Sequence, residues 1–242
     1  MLRDPFYLRP DAELPDAMRE VVTRHYPVYP VCDADRHLLG MVKGQVMFEQ
    51  QAFEISAQAG TMVGVEKEER LATPWPRSLR SRLPWLILNL LTAFLAAAVV
   101  GLFEGTLQQI VVLAVFLPVL AGQSGNTGCQ ALAVTLRGIT LGELRADRVV
   151  ATASKEALLG FLNGLVVGAI AGGGMWFYAH GQGNPAALSL GLIVMAAMTA
   201  SCVISGIAGA VIPLALKRVG ADPATASSIF LTTATDVVSM GA

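Results

Sequence analysis

Apolar residues are grouped into five long stretches that fill most of the chain after about position 82, and short polar segments separate them. A membrane-spanning helix needs about 20 mostly apolar residues to cross the hydrocarbon core. The pattern therefore predicts an α-helical integral membrane protein with five transmembrane helices. The fifth stretch is long enough only if its first turn is counted, and the sequence stops six residues after Asp236, so we expect a truncated fifth span. The stretches cover about 83–103, 107–121 with an apolar turn to 136, 156–178, 187–216 and 223–242.

Residues 1–72 follow a different pattern, with shorter apolar runs and most of the charged side chains. Val28–Val31 and Leu38–Val42 read as two short strands around the polar turn 33–37, and a helix is expected over about 44–58. This predicts a small N-terminal α+β domain. A piece of this size buries too little surface to be stable alone, so it should pack on a partner or on the membrane part. Residues 73–82 are expected to form an interfacial connector to the membrane domain, 83–242.

Composition and charge agree with a membrane protein. Hydrophobic residues make up 54% of the chain and charged residues 14%, with a formal net charge of −1. The lipid bilayer is therefore the expected environment, and nothing indicates a nucleic-acid partner. Lys and Arg occur only on alternate sides of the predicted spans, which places the N-terminal domain in the cytoplasm. The basic residues near the predicted spans are Arg77, Arg80, Arg82, Arg137, Arg145, Arg148, Lys155, Lys217 and Arg218.

One carboxylate lies inside an apolar stretch. Asp236 follows Thr232, Thr233 and Thr235 in the fifth stretch. A charged side chain at membrane depth is costly unless it faces a wet cavity, a partner or a cation, so Asp236 predicts an ion pathway. Hydroxyl and carboxylate oxygens are the hard ligands that Mg²⁺ and its hydration water prefer. The simpler alternative is a carboxylate near a chain end that reaches water.

Gly122–Gln130 interrupts the second stretch with glycines and with amides, including Asn126 and Gln130. Irregular or amide-rich backbone at membrane depth is tolerated only inside protein or along a water-filled cavity. This segment is either the ordinary cytoplasmic end of the second span or a pore-facing segment whose amides contact the water around an ion. Small residues also recur every four positions in the third and fourth stretches, which predicts close helix packing. They are Gly160, Gly164, Gly168, Gly172, Ala197, Ser201, Ser205 and Gly209.

Three segments together resemble the MgtE-type magnesium channel and transporter family. They are Pro118–Gln130 with Arg137-Gly138, Arg82–Leu86 with Asn89–Thr92, and Asp222-Pro223 with Thr232–Asp236. The resemblance implies a homodimer with five spans per subunit and one pore on the two-fold axis. It implies that Asp236 binds hydrated Mg²⁺, the transported and regulatory ion. It also implies a pore lining of Asn126, Gln130, Ser228, Thr232, Thr233 and Thr235.

The N-terminal domain resembles the end of a CBS domain leading into a connecting helix. Lys43 and Val46 stand where a CBS module commonly has a ribose-binding Thr-x-x-Asp, so no nucleotide cofactor is expected. Glu66, Glu68 and Glu69 remain as candidates for sensing cytosolic Mg²⁺, or they form a solvated helix face.

The resemblance implies Mg²⁺ transport by a multi-pass protein of the cell's inner (plasma) membrane. No catalytic residue pattern is present, so no enzyme activity is expected. Two alternatives stay open. One is a non-conducting, truncated subunit that associates with a full-length channel. The other is a transporter of another divalent cation such as Mn²⁺ or Co²⁺, because oxygen ligands discriminate poorly among these ions.

Overall fold

The N-terminal part is a two-stranded hairpin flanked by helices. The structure, a computed structural model, describes residues 5–12, 14–21, 24, 26–140 and 149–242. Both predicted strands and the helix after them are present, and the helix runs one turn beyond its expected end. A short amphipathic helix before the hairpin was not predicted. The elements are α1 (Leu14–Val21), β1 (Val28–Cys32), β2 (Leu38–Lys43) and α2 (Gly44–Thr61).

Tyr29 is the centre of this small domain. The strands pair antiparallel with Val28 opposite Lys43, which turns Tyr29 inward, where it is fully buried. Its hydroxyl donates to the Val21 carbonyl at 3.3 Å and accepts from the Tyr26 amide at 3.0 Å. The ring therefore joins the hairpin to α1 while its polar atom remains satisfied, as burial requires. Its core neighbours are Leu8, Ala17, Met18, Val21 and Met47.

Helices form the rest of the described chain. Among the described residues, four helical segments are long and apolar enough to cross a membrane: Trp75–Leu102, Val111–Thr140, Val149–Gly181 and Ala187–Arg218. The fifth predicted stretch forms a helix of 19 residues, about 28 Å long at 1.5 Å per residue. The elements are α3 (Trp75–Leu102), α4 (Glu104–Gln109), α5 (Val111–Ala114), α6 (Leu117–Thr140), α7 (Val149–Gly181), α8 (Ala187–Arg218) and α9 (Pro223–Gly241).

The second stretch is broken at two points, the first of which directly follows the polar pair Gln108 and Gln109. The chain leaves helical geometry at Ile110, with φ −128° and ψ 63°, and turns again at 115–116 before α6 begins. The glycine- and amide-rich segment, by contrast, lies in the middle of the regular helix α6. One of its three glycines is a helix contact: a Cβ on Gly128 would lie 2.9 Å from Leu231 Cδ1 in α9, whereas one on Gly122 or Gly125 would meet nothing within 4 Å.

The periodic glycines of α7 bring its backbone against α8. A Cβ on Gly160 would lie 2.5 Å from the Cys202 carbonyl oxygen, and one on Gly172 would lie 2.4 Å from the Gly191 carbonyl oxygen. Real Cβ atoms do not approach backbone oxygens so closely, so only glycine permits this separation. The predicted packing role of this glycine stripe is confirmed.

The connector (residues 62–74) is held on both sides. Lys67 Nζ lies 2.7 Å from Glu54 Oε2 in α2, while Glu69 accepts two hydrogen bonds from the Arg82 guanidinium in α3. Gly64 has a φ of +79°, and a Cβ there would collide with the Trp85 ring. Within the segment predicted as an interfacial connector, 73–82, residues Trp75–Arg82 form the start of α3.

Candidate metal site on the last helix

Asp236 lies on α9, about 20 Å along the helix axis from Pro223. Its side chain is partly exposed. Among the residues that the structure describes, its carboxylate has no hydrogen-bond or ion-pair partner. Since α9 contains no Lys or Arg, the charge is not neutralised within its own helix. The carboxylate is therefore available to a cation, to water or to a second subunit.

Thr232 lies one helical turn before Asp236, on the same face of α9, and is exposed. Its hydroxyl and the carboxylate present hard oxygen atoms along one strip of the helix. Such atoms suit Mg²⁺ or the waters of its hydration shell. The other side of α9 is occupied, because α3 packs near its end, where Val99 approaches Gly241.

The other predicted hydroxyls are less exposed than Thr232. Ser228 and Thr233 are half-buried, and Thr233 donates to the Ile229 carbonyl at 2.7 Å. Thr235 is 1% exposed, its methyl group faces Gly128 of α6, and its hydroxyl donates to the Thr232 carbonyl. Thr235 therefore lies in the contact between α6 and α9 and not on the open face.

Asn126 and Gln130 are exposed on α6, one turn apart. The opposite face of α6 is packed against α8 and α9, since Gly128 touches Leu231 and Gly209 touches the Gly128 carbonyl. The contact between Gly128 and Thr235 fixes the positions of α6 and α9 relative to each other along their axes. It brings Asn126 and Asp236 to similar depths, each within two residues of that contact. Both helices thus present polar side chains on faces that are not packed against the rest of the bundle.

The N-terminal domain contacts the helical bundle through α2, at the end of the bundle that holds the last turn of α6. We call this the α2 end. Gln58 Nε2 donates to Thr140 Oγ1 at 3.3 Å, which ties α2 to the last turn of α6. A cavity of about 590 Å³ lies beside this contact, between α1, α2 and the α2-end residues of α6, α8 and α9. It includes Lys217 and Asp222, and Asp222 caps α9 by accepting from the Ala224 amide.

The predicted cytosolic sensors are separated by their contacts. Glu66 and Glu68 are exposed. Glu69 is engaged by Arg82, and the hydrogen bonds from Arg82 first, and then from Ser78, lower the pKa of its carboxyl group. This carboxylate therefore holds the connector, while its two neighbours remain open to solvent.

Two features were not anticipated, one buried and one at the surface. Glu156 in α7 is 7% exposed and lies against Gly206 of α8. It lies at the expected start of the third apolar stretch, where an acidic residue is easily interpreted as part of the polar segment before a span. The second feature is a surface cluster of Asp33, Asp35 and His37, whose ligand atoms lie within 4.8 Å of one another in the hairpin turn. There Asp33 accepts from the backbone amides of Asp35 and His37, which explains the cluster as turn structure.

Comparison with known proteins gives a consistent result. Residues 117–242 match the family model MgtE, described as a divalent cation transporter. The chain is 32% identical over 217 residues to the magnesium transporter MgtE of Enterococcus faecalis, covering 87% of this chain and 45% of that protein. It is 33% identical over 165 residues to the Bacillus subtilis magnesium transporter MgtE, covering 66% and 34%. For the Thermus thermophilus magnesium transporter MgtE the values are 27% over 237 residues, 97% and 51%. The chain thus spans about half or less of each relative.

Proposed function

The chain belongs to the MgtE family of divalent cation transporters, and from that premise we propose that it conducts Mg²⁺ across the membrane by passive, channel-like permeation. Three relatives that match it are named as magnesium transporters. The four long apolar helices fit a multi-pass membrane protein. We propose that α9 is the fifth span and that the N-terminal piece, 1–72, is a CBS-like cytoplasmic domain.

The observation that carries the proposal is the carboxylate of Asp236, which lies beside Thr232 in an apolar helix and has no partner among the described residues. Transfer of an unpaired charge to hydrocarbon costs at least about 2.5–3.5 kcal/mol at the centre of a helix. A protein that keeps such a group without an internal counter-ion needs water or a cation to offset that cost. An Mg²⁺ pathway supplies both, because this ion sheds its water reluctantly and crosses largely hydrated.

A homodimer completes the pathway in this proposal. The polar faces of α6 and α9 are not packed against the rest of the subunit, and a two-fold axis beside them would bring two copies of Asp236 together. Two facing carboxylates repel each other when no cation lies between them, and together they attract a divalent cation strongly. Selectivity then rests on pore width and on oxygen acceptors that contact the hydration shell, with Asn126, Gln130, Ser228, Thr232 and Thr233 as the nearest candidates.

Regulation by cytosolic Mg²⁺ would act at the connector, which lies between α2 and α3 and carries the predicted sensor residues. Glu66 and Glu68 are open to the ion, whereas Glu69 would have to release Arg82 first. A regulatory ion that engaged Glu69 would therefore free the connector from α3.

Growth of a host that lacks its own Mg²⁺ uptake systems tests the proposal. Expression of the chain should restore growth at low external Mg²⁺, with the empty vector as the control. Absence of rescue by a well-expressed membrane-inserted protein would favour a non-conducting subunit that needs a full-length partner. Competition among Mg²⁺, Mn²⁺ and Co²⁺ in a flux assay then decides which divalent cation is carried.

A further inference from the structure

Two buried serines of α8 differ from the other buried hydroxyls in the helical bundle. Ser124, Thr135, Ser227, Thr235 and Ser239 each donate to a carbonyl of their own helix. The hydroxyls of Ser201 and Ser205 are 0% exposed and, among the residues described, have no hydrogen-bond partner. Buried hydroxyls normally find an acceptor, and in a helix the carbonyl one turn back is the nearest one. These two make no such bond.

The direction in which they point follows from their neighbours. Ser201, Ser205 and Gly209 are spaced by four residues and so share a face of α8. Gly209 lies against the Gly128 carbonyl and the Ala131 side chain of α6. Ala208 and Ile212, on the adjoining face, pack on the cluster of Leu132, Leu136 and Leu231 from α6 and α9. The two hydroxyls therefore face the seam where α8 meets α6 and α9.

We propose that one water molecule binds in this seam and bridges Ser201 and Ser205. Four residues of helix advance about 6 Å, so the two oxygens are separated by about one turn. A water molecule with hydrogen bonds of about 2.8 Å to each oxygen spans about 4.5 Å, a separation that the two hydroxyls reach when rotation about χ1 turns them toward each other. The two hydroxyls give it the minimum of two polar partners that a buried water needs.

The site has a specific place in the bundle. It lies in the contact that seats α9, the helix of Asp236, and away from the α7 contact, which is made by Gly160, Gly164, Gly168 and Gly172 on another face of α8. The bridge gives α8 a polar attachment point in an otherwise apolar seam.

A double-mutant cycle in thermal unfolding of the purified, detergent-solubilised chain tests this. Ser201→Ala and Ser205→Ala should each lower the midpoint by about 2–4 °C, the shift that loss of one hydrogen-bonded bridge produces in a chain of this size. The double variant should fall no further than either single one, because the first substitution already removes the bridge.

The matched control is Thr199→Val, on the same helix but facing α7, with a hydroxyl bonded to the Met195 carbonyl at 2.8 Å. Its effect should add to that of Ser201→Ala. Additive losses for the two serines would mean that each bonds to its own helix, and a rise in the midpoint for each single variant would mean a dry seam. Either result overturns the proposal.

Discussion

Single residues decide how closely the membrane helices approach. Gly172 and Gly173 are neighbours in α7, yet a Cβ on Gly172 would lie 2.4 Å from a backbone oxygen of α8, whereas one on Gly173 would meet nothing within 4 Å. The sequence spacing identified the first as part of a stripe and left the second outside it. The four-residue spacing therefore indicated correctly which face of α7 packs against α8.

This pair gives a direct prediction. Gly172→Ala should destabilise the protein by about 1–3 kcal/mol, because the backbone oxygen of Gly191 cannot move aside as a flexible side chain could. Gly173→Ala should cause no loss, since alanine favours the helix and has room. Thermal unfolding midpoints of the two purified variants measure the difference. Equal destabilisation by both would contradict the assigned contact.

At the scale of elements, hydropathy found the helices but not their irregularities. The five apolar stretches correspond to α3, α5 with α6, α7, α8 and α9. The glycine-rich segment was expected to be a candidate for irregular backbone, yet it is regular helix, and Gly128 in it packs against side chains of α9. The breaks lie at Ile110 and at 115–116, where the apolar side chains of Ile110 and Phe116 pack on α7 and α8. Hydropathy cannot distinguish such a turn from a continuous helix.

The connector offers a second prediction. Glu69→Gln should release the connector from α3, because the neutral amide loses the charge-assisted hydrogen bonds from Arg82. Trypsin should then cleave after Lys67 and Arg70 severalfold faster. Glu68→Gln, at an exposed neighbouring position, is the matched control and should leave the rate unchanged. If adding Arg82→Gln to Glu69→Gln speeds cleavage further, the two residues do not act as a pair.

The same ion pair has a pH dependence of known sign. Because Arg82 lowers the pKa of Glu69 below its ordinary value of 4.5, the folded protein binds this proton less readily than the unfolded chain. The stabilisation is therefore complete above that value and is lost as pH falls through the lowered pKa. Hydrogen exchange of residues 62–74 should rise in that acidic range in the wild type and less in Glu69→Gln. The same rise in both proteins would assign the change to other groups.

At the scale of the whole molecule, the basic residues predict orientation. If the positive-inside rule holds for this chain, residues 1–82 are cytoplasmic and the turn between α7 and α8 is outside. Single cysteines at Ala72 and Gln182, both exposed, can be placed in a background without Cys32, Cys129 and Cys202. An impermeant thiol reagent applied to intact cells should label position 182 and not 72. The reverse pattern would invert the topology.

The candidate site was only partly predictable from the sequence. Asp236 stood out because a carboxylate in an apolar stretch is rare, and that signal needs no tertiary information. Tertiary information was needed, however, to decide which neighbouring hydroxyl lies on the same exposed face as Asp236. Thr232 and Thr235 look equivalent in the sequence. In the structure, Thr232 is exposed, whereas Thr235 packs against Gly128 of α6. The link from α2 to α6 joins Gln58 and Thr140, and no hydrophobic pattern marks it.

The most direct test of the account is Mg²⁺ uptake by Asp236→Asn, measured in proteoliposomes at matched protein content. The asparagine keeps the size of the side chain but removes its charge, so two facing copies no longer attract a divalent cation. The account predicts that Mg²⁺ uptake is abolished while the unfolding midpoint is kept. It also predicts a milder loss for Asn126→Ala, and none for Glu104→Gln, which removes an exposed carboxylate in α4. Full Mg²⁺ uptake by a folded Asp236→Asn protein would contradict the assignment of Asp236 as the ion site.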